Sequence, residues 1–273
     1  MKYKIVADSS CDLTKDYIND NEVGFDIVPL SINIDNESFL DDEALDIKLM
    51  LNKLKESENA AKTSCPAPGY FTNSYNDAEY VFVVTISSKL SGTFNSAYLG
   101  SVDTTSKVHV VDSKGTSGMM VLLVDKLYEL IKSGLSFDEI KTQIDNYQKT
   151  LNLFFVLDKF DNLVKNGRMS KITALVAMTF FIKPLCIAED GQISIYEKPR
   201  TMKAALIRLV NNIKDKCNDF SGRCIISHCM NEENALFVKK LIESKYNFKE
   251  VVVLPMRGLC SFYALENGII VSF

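Results

Sequence analysis

The stretch Val81-Phe82-Val83-Val84-Thr85-Ile86-Ser87-Ser88-Lys89-Leu90-Ser91-Gly92-Thr93 decides the fold. Its first six residues form a continuous apolar run rich in β-branched side chains, which reads as a strand buried on both faces. The run stops in a cluster of hydroxyls, and Phe94 to Gly100 then reads as helix. Strand, polar loop and helix in that order make one unit of a parallel α/β sheet. The same pattern lies on either side. Tyr3 to Ala7 reads as a strand that runs into Asp8-Ser9-Ser10. Val108 to Val111 reads as a second strand buried on both faces, followed by Asp112-Ser113 and Gly115-Thr116-Ser117-Gly118. Gly118 to Lys132 is the next helix, with Lys132 and Gly134 as its closing charge and stop. Ser136 and Glu139 form a capping box for the helix after it, and Leu135 with Ile140 a hydrophobic staple.

A second alternation begins at Leu151 to Leu157. Lys203 to Cys217 is amphipathic, with Leu206, Leu209, Val210, Ile213 and Cys217 on one face. Cys224 to Ser227, Val251 to Pro255 and Ile269 to Phe273 read as strands, and Glu232 to Ser244 as helix. The fold class is therefore α/β with two α/β domains. Residues 1–150 give an N-terminal parallel sheet with helices on both faces, and residues 151–273 a C-terminal mixed sheet with helices.

The 273 residues carry a net charge of −4, which gives no general attraction to nucleic acid or anionic lipid. The start, MKYKIVADSS, turns polar too early for a secretory signal. The longest apolar run, Ile172 to Ile182, falls short of the roughly 20 residues that span a bilayer and reads as a buried helix. Seven scattered cysteines read as reduced core thiols, which fits a cytoplasmic protein.

Three hydroxyl clusters follow three strands, at the end of a parallel sheet where ligands bind. Each cluster also reads as ordinary turns and helix caps. The second is the best anion site. Ser91-Gly92-Thr93 opens a helix, whose first backbone N–H groups are free, and Gly92 admits close approach. There is no Walker lysine and no GxGxxG, so the expected charge is a single carboxylate and no nucleotide cofactor is called for. Cys224, His228 and Cys229 lack the spacing of a metal site, and His109 reads as a packed residue. Two histidines and no GxSxG give a serine-hydrolase triad little support. Asp8 and Asp12 leave a phosphatase or hydrolase open, with Asp12 otherwise capping a helix near Lys15 to Asn19. Lys165, Arg168, Lys171, Lys198 and Arg200 read as charged surface or as a docking face for a partner.

Taken together, the motifs resemble the DegV family. The resemblance rests on Ala7-Asp8-Ser9-Ser10-Cys11-Asp12-Leu13, Thr63-Ser64-Cys65-Pro66, the run from Ser87 to Ala97, and Val111-Asp112-Ser113. It continues through Asn166-Gly167-Arg168-Met169-Ser170, Ile182-Lys183-Pro184-Leu185 with Asp190-Gly191, and Lys198-Pro199-Arg200-Thr201. Family members carry fatty acids and serve as the lipid-binding subunit of a bacterial fatty acid kinase. The resemblance implies a long-chain fatty acid as ligand and a kinase catalytic subunit as partner, which makes the acyl phosphate while this chain does no chemistry itself. It implies that Thr63 and Ser91 hold the carboxyl, with Ser64 and Gly92 beside them. Arg168 and Arg200 would dock the kinase, and Leu175, Val176, Met178, Phe180 and Phe181 would line the tunnel. Where the family has a His-Thr-Gly-Pro-Gly loop, this chain runs Arg257 to Gly268, and Tyr263 stands at the histidine position. A ligand-free regulatory module of the same fold is a further reading.

Overall fold

The computed structural model describes residues 1–169 and 182–273. The expected run Ile172 to Ile182, apart from its last residue, and all five tunnel residues lie outside them. The first sheet contains β1 (Tyr3–Asp8), β2 (Val23–Val28), β6 (Tyr80–Thr85) and β7 (Lys107–Asp112) in the order β2-β1-β6-β7, all parallel. β1 is buried along its whole length and β6 from Val81 onward, as unbroken apolar runs require. One face, with Val6, Val81 and Val83, packs on α2 (Pro68–Tyr75) and α3 (Thr93–Gly100). The other, with Ile5, Phe82 and Val84, packs on α4 (Gly118–Lys132) and α5 (Phe137–Gln148). β7 departs from expectation. It is one of the two edge strands, and Val108 and Val110 are only half-buried.

α4 begins and ends where its sequence signals place it, and α5 carries the capping box, with Glu139 accepting from the Ser136 N–H at 2.9 Å. α4 is apolar nearly all round because it is covered twice. Its second cover is the mixed sheet of β8 (Leu153–Val156), β9 (Leu185–Glu189), β10 (Gln192–Glu197), β11 (Arg223–His228), β12 (Glu250–Pro255) and β13 (Ile269–Ser272). The strand order is β10-β9-β8-β13-β11-β12; β11 and β12 run parallel and the other neighbours antiparallel. Gly118 permits the close approach, since a Cβ there would lie 2.8 Å from Ile225. α7 (Met202–Asn212) and α8 (Glu232–Lys245) cover the sheet's other face.

A small antiparallel sheet, β4-β3-β5, escapes the sequence reading, with β3 (Ser31–Ile34), β4 (Glu37–Leu40) and β5 (Lys62–Ser64). α1 (Ile47–Glu56), α6 (Asp161–Lys165) and α9 (Gly258–Ala264) complete the described elements. No helix forms at Lys15 to Asn19. Asp12 closes a short 3-10 turn in the left-handed region, φ 59°, and its carboxylate accepts from the Ser117 hydroxyl and, at 2.6 Å, from the Arg257 N–H. Donors on two distant segments hold it there in place of a local helix end.

Candidate functional site

Between the parallel and the mixed sheet lies a cavity of about 90 Å³. At 10–15 Å³ per water-sized group, it has room for roughly six to nine of them, a head group and the first methylenes of a chain. Its walls are apolar, with Leu30, Leu153, Phe155, Leu157, Leu163 and Ile270 among them. Of the polar lining side chains, Thr63, Ser91, Arg168 and Tyr263 are linked to one another or to neighbours in the chain, and Thr116 donates to the Ser10 carbonyl at 3.3 Å. Thr63 comes from β5, where alternation turns Ser64 the other way. The Thr63 hydroxyl lies 2.7 Å from the Tyr263 hydroxyl. Ser64 is exposed, and its oxygen accepts from the Asn33 amide at 3.3 Å. The Arg168 guanidinium sits 5.9 Å from the centroid of the Tyr263 ring and donates to the carbonyls of Leu90 (3.1 Å) and Asn166 (2.5 Å). Leu90 precedes Ser91, so one arginine ties the loop after β6 to Tyr263 on α9.

Ser91 lines the cavity, with its oxygen 2.8 Å from the Thr93 hydroxyl. Gly92 is the N-cap of α3 and offers no capping side chain. It is exposed, and a Cβ there would stand 3.4 Å from the Cys65 sulfur. The loops around Thr63 and Ser91 therefore meet at this edge. Burial raises the phenol of Tyr263 above its ordinary value, while the Thr63 hydrogen bond and the Arg168 charge pull it back. Tyr263 is thus a neutral hydroxyl across the physiological range.

Of the three hydroxyl clusters, the third contributes Gly115 and Thr116 to the lining and the second Leu90 and Ser91. Ser88 turns away and is bound to Asp112. The first cluster is absorbed by the scaffold. Asp8 has no exposed surface and accepts from the Ser10 N–H (3.0 Å), the Ser10 hydroxyl and the Ile86 N–H (2.7 Å). No phosphoester can reach it, which removes the phosphatase reading. Arg168, expected at a docking face, lines the cavity; Arg200 lies apart and exposed. Among the described residues no His, Cys, Asp or Glu side chains cluster as a metal site would need, and no helix is long and apolar enough to cross a membrane. Ala188 and Ile193, from the β9–β10 hairpin, are lining residues that sequence reasoning missed. The Asp190-Gly191 turn between those strands was their only trace.

An α/β scaffold with a mainly apolar cavity and a small set of grouped polar atoms defines a binding protein for an amphiphile. The family model described as "Uncharacterised protein, DegV family" matches residues 2–272, and the chain belongs to the DegV family. A DegV domain-containing protein of Streptococcus gordonii is 38% identical, over 100% of this chain and 99% of its own length. The crystal structure of the fatty acid kinase (Fak) B3 protein of Streptococcus pneumoniae loaded with linoleic acid has a TM-score of 0.94 at 35% identity, covering 100% of this chain and 99% of that one. A DegV family protein of Eubacterium eligens loaded with heptadecanoic acid has a TM-score of 0.92, also at 35% identity, covering 99% and 98%.

Proposed function

We infer that this protein binds a long-chain fatty acid and presents its carboxyl to a fatty acid kinase, which forms the acyl phosphate. The observation that carries this is the Thr63–Tyr263 hydroxyl pair, grouped with Ser91 and Arg168 in the wall of a mainly apolar cavity. A carboxylate lowered there meets neutral donors from Thr63, Ser91 and Tyr263, the start of α3 beyond the Thr93 N–H, which already donates to the Ser91 oxygen at 3.3 Å, and the positive charge of Arg168. A buried charge is tolerable only with such partners. The first methylenes of the tail lie along the apolar walls, each buried methylene contributing about 0.8 kcal/mol. Fatty acids in the similar structures support the reading. Kinase docking falls to Arg200, exposed beyond β10, and Arg168 serves the head group from the cavity wall. We read the chain as two domains, 1–150 and 151–273, meeting around the cavity, which takes lining residues from both sides of that boundary. Seven unpaired cysteines fit the cytoplasm. Denaturing extraction of the purified protein followed by mass spectrometry tests the reading. A long-chain fatty acid at near one equivalent is expected; repeated preparations without one, and without uptake of added oleic acid, reject it.

A further inference from the structure

Ser87 does not line the cavity, yet it is fully buried and touches three segments that do. Its N–H donates to the Gly115 carbonyl at 2.8 Å. Its own carbonyl accepts from the N–H groups of Leu90 (2.9 Å) and Ser91 (3.1 Å), which sets the backbone of Ser91 directly. Its hydroxyl donates to the Gly191 carbonyl at 2.7 Å and accepts from the Lys89 N–H at 3.2 Å. Gly191 forms the turn of the β9–β10 hairpin, in the left-handed region at φ 81°. The fit is tight there, since a Cβ on Gly191 would lie 2.5 Å from the Ser87 oxygen. A second tie runs alongside, Lys114 to Asp190 at 3.0 Å. That pair is exposed on the Asp190 side and holds little by itself.

We propose that Ser87 is a positioning residue for the carboxylate grip, locking the Ser91 loop to the Gly191 turn so that the hairpin and the head-group donors are set as one unit. The proposal rests on the fatty-acid reading above. One hydroxyl spans the two sheets at this point: the loop after β6 belongs to the parallel sheet, the hairpin to the mixed one. Without it, the Ser91 backbone keeps its bond to the Ser87 carbonyl, but the whole loop loses its anchor on the hairpin. The donors then meet the carboxylate in a wider spread of positions. Ala188 and Ile193, the hairpin's share of the apolar wall, stay paired with each other across β9 and β10, so the hydrocarbon walls keep their own support. The effect therefore falls on the head group and not on the tail.

Two ligands with the same tail separate these contributions. Affinities of the unmodified chain, Ser87→Ala and Gly191→Ala are measured for oleic acid and for oleyl alcohol by displacement of a fluorescent fatty acid, with thermal melts alongside. Loss of one neutral hydrogen bond corresponds to a weakening of roughly 3–10-fold. That loss is expected for oleic acid in Ser87→Ala, with oleyl alcohol changed by less than about 2-fold. Gly191→Ala reaches the same contact from the hairpin side and moves the acid-to-alcohol ratio in the same direction. Adding Ser87→Ala to Ser91→Ala costs less than it does alone, because the two act through one grip. Equal weakening for acid and alcohol, or an unchanged ratio in both variants, overturns the positioning role. An unmodified chain that fails to prefer the acid removes the carboxylate grip itself, and this inference with it.

Discussion

Asp8-Ser9-Ser10 and the run from Ser87 to Thr93 both follow buried parallel strands, and both end in hydroxyls at the same edge of one sheet. Their polar atoms are used differently. In the first, Asp8 is closed by Ser10 and Ile86, the Ser9 oxygen accepts from the Leu30 N–H at 3.0 Å, and nothing remains for a ligand. Asp41 extends this interior cluster, accepting from the Gly258 (2.8 Å) and Leu259 (2.9 Å) N–H groups at the start of α9. In the second, the Ser91 oxygen meets only its chain neighbour Thr93, whose hydroxyl lies at 2.8 Å and whose N–H donates to it at 3.3 Å, and it opens on the cavity. Chemically similar clusters thus divide into a scaffold that fixes α9 and a cavity edge, lined also by Tyr263 of that helix, where the proposed site lies. The first should govern stability and the second affinity.

The largest effect should come from Asp41→Ala. It leaves two buried helix-start N–H groups without an acceptor, so a loss on the order of 3 kcal/mol in urea unfolding is expected. A loss below about 1 kcal/mol would mean that α9 is held otherwise. On the site side, Ser91→Ala and Tyr263→Phe should each weaken fatty-acid binding by about 1.5–3 kcal/mol with little change in unfolding, whereas Ser88→Ala leaves affinity unchanged. Equal affinities for Ser88→Ala and Ser91→Ala would erase the distinction between the clusters. Since Tyr263 stays neutral, binding should not strengthen as pH falls from about 8 to 6, as a histidine at that position would make it.

The pH dependence of stability sharpens the same contrast. Burial raises Asp8 from the ordinary 3.8 to about 6 and Asp12 to about 7. The folded chain then holds protons that the unfolded chain has released. Their stabilising contribution is complete below pH 3.8 and is lost as pH rises through about 6 to 7. Asp12→Asn removes one such proton, so the stability of the unmodified chain relative to this variant should decline across that window. Parallel curves would show that Asp12 does not titrate there. The smallest effect belongs to Arg200→Glu, which should slow association with the kinase and leave fatty-acid affinity within about 0.5 kcal/mol.

Where local chemistry dictates structure, the sequence is readable. The capping box at Ser136, the helix Gly118–Lys132 and the strands β1 and β6 follow from apolar runs and end signals. β3, β4 and β5 do not, because three or four residues carry too little alternation to register. Asp12 looks like a helix cap until Ser117 and Arg257, remote in sequence, supply its donors. In the site, Ser91 stood out from its place before a helix, whereas Thr63 and Tyr263 were legible only through family resemblance. The wall position of Arg168 depends on Leu90 and Tyr263 from two other elements, which no local pattern records.

Helix α4 has a consequence for how the chain matures. It is synthesised with the first sheet, but Gly118 and its neighbours complete their packing only against β11 and β13, more than 100 residues later. Until those strands emerge from the ribosome, one oily flank of the helix has no cover. Newly made N-terminal halves are therefore the stage at which chaperones have most to hold. A gene cut near codon 150 would release a product that sticks to itself, and insertions that delay the second half should lower yield more than equal insertions placed after β13.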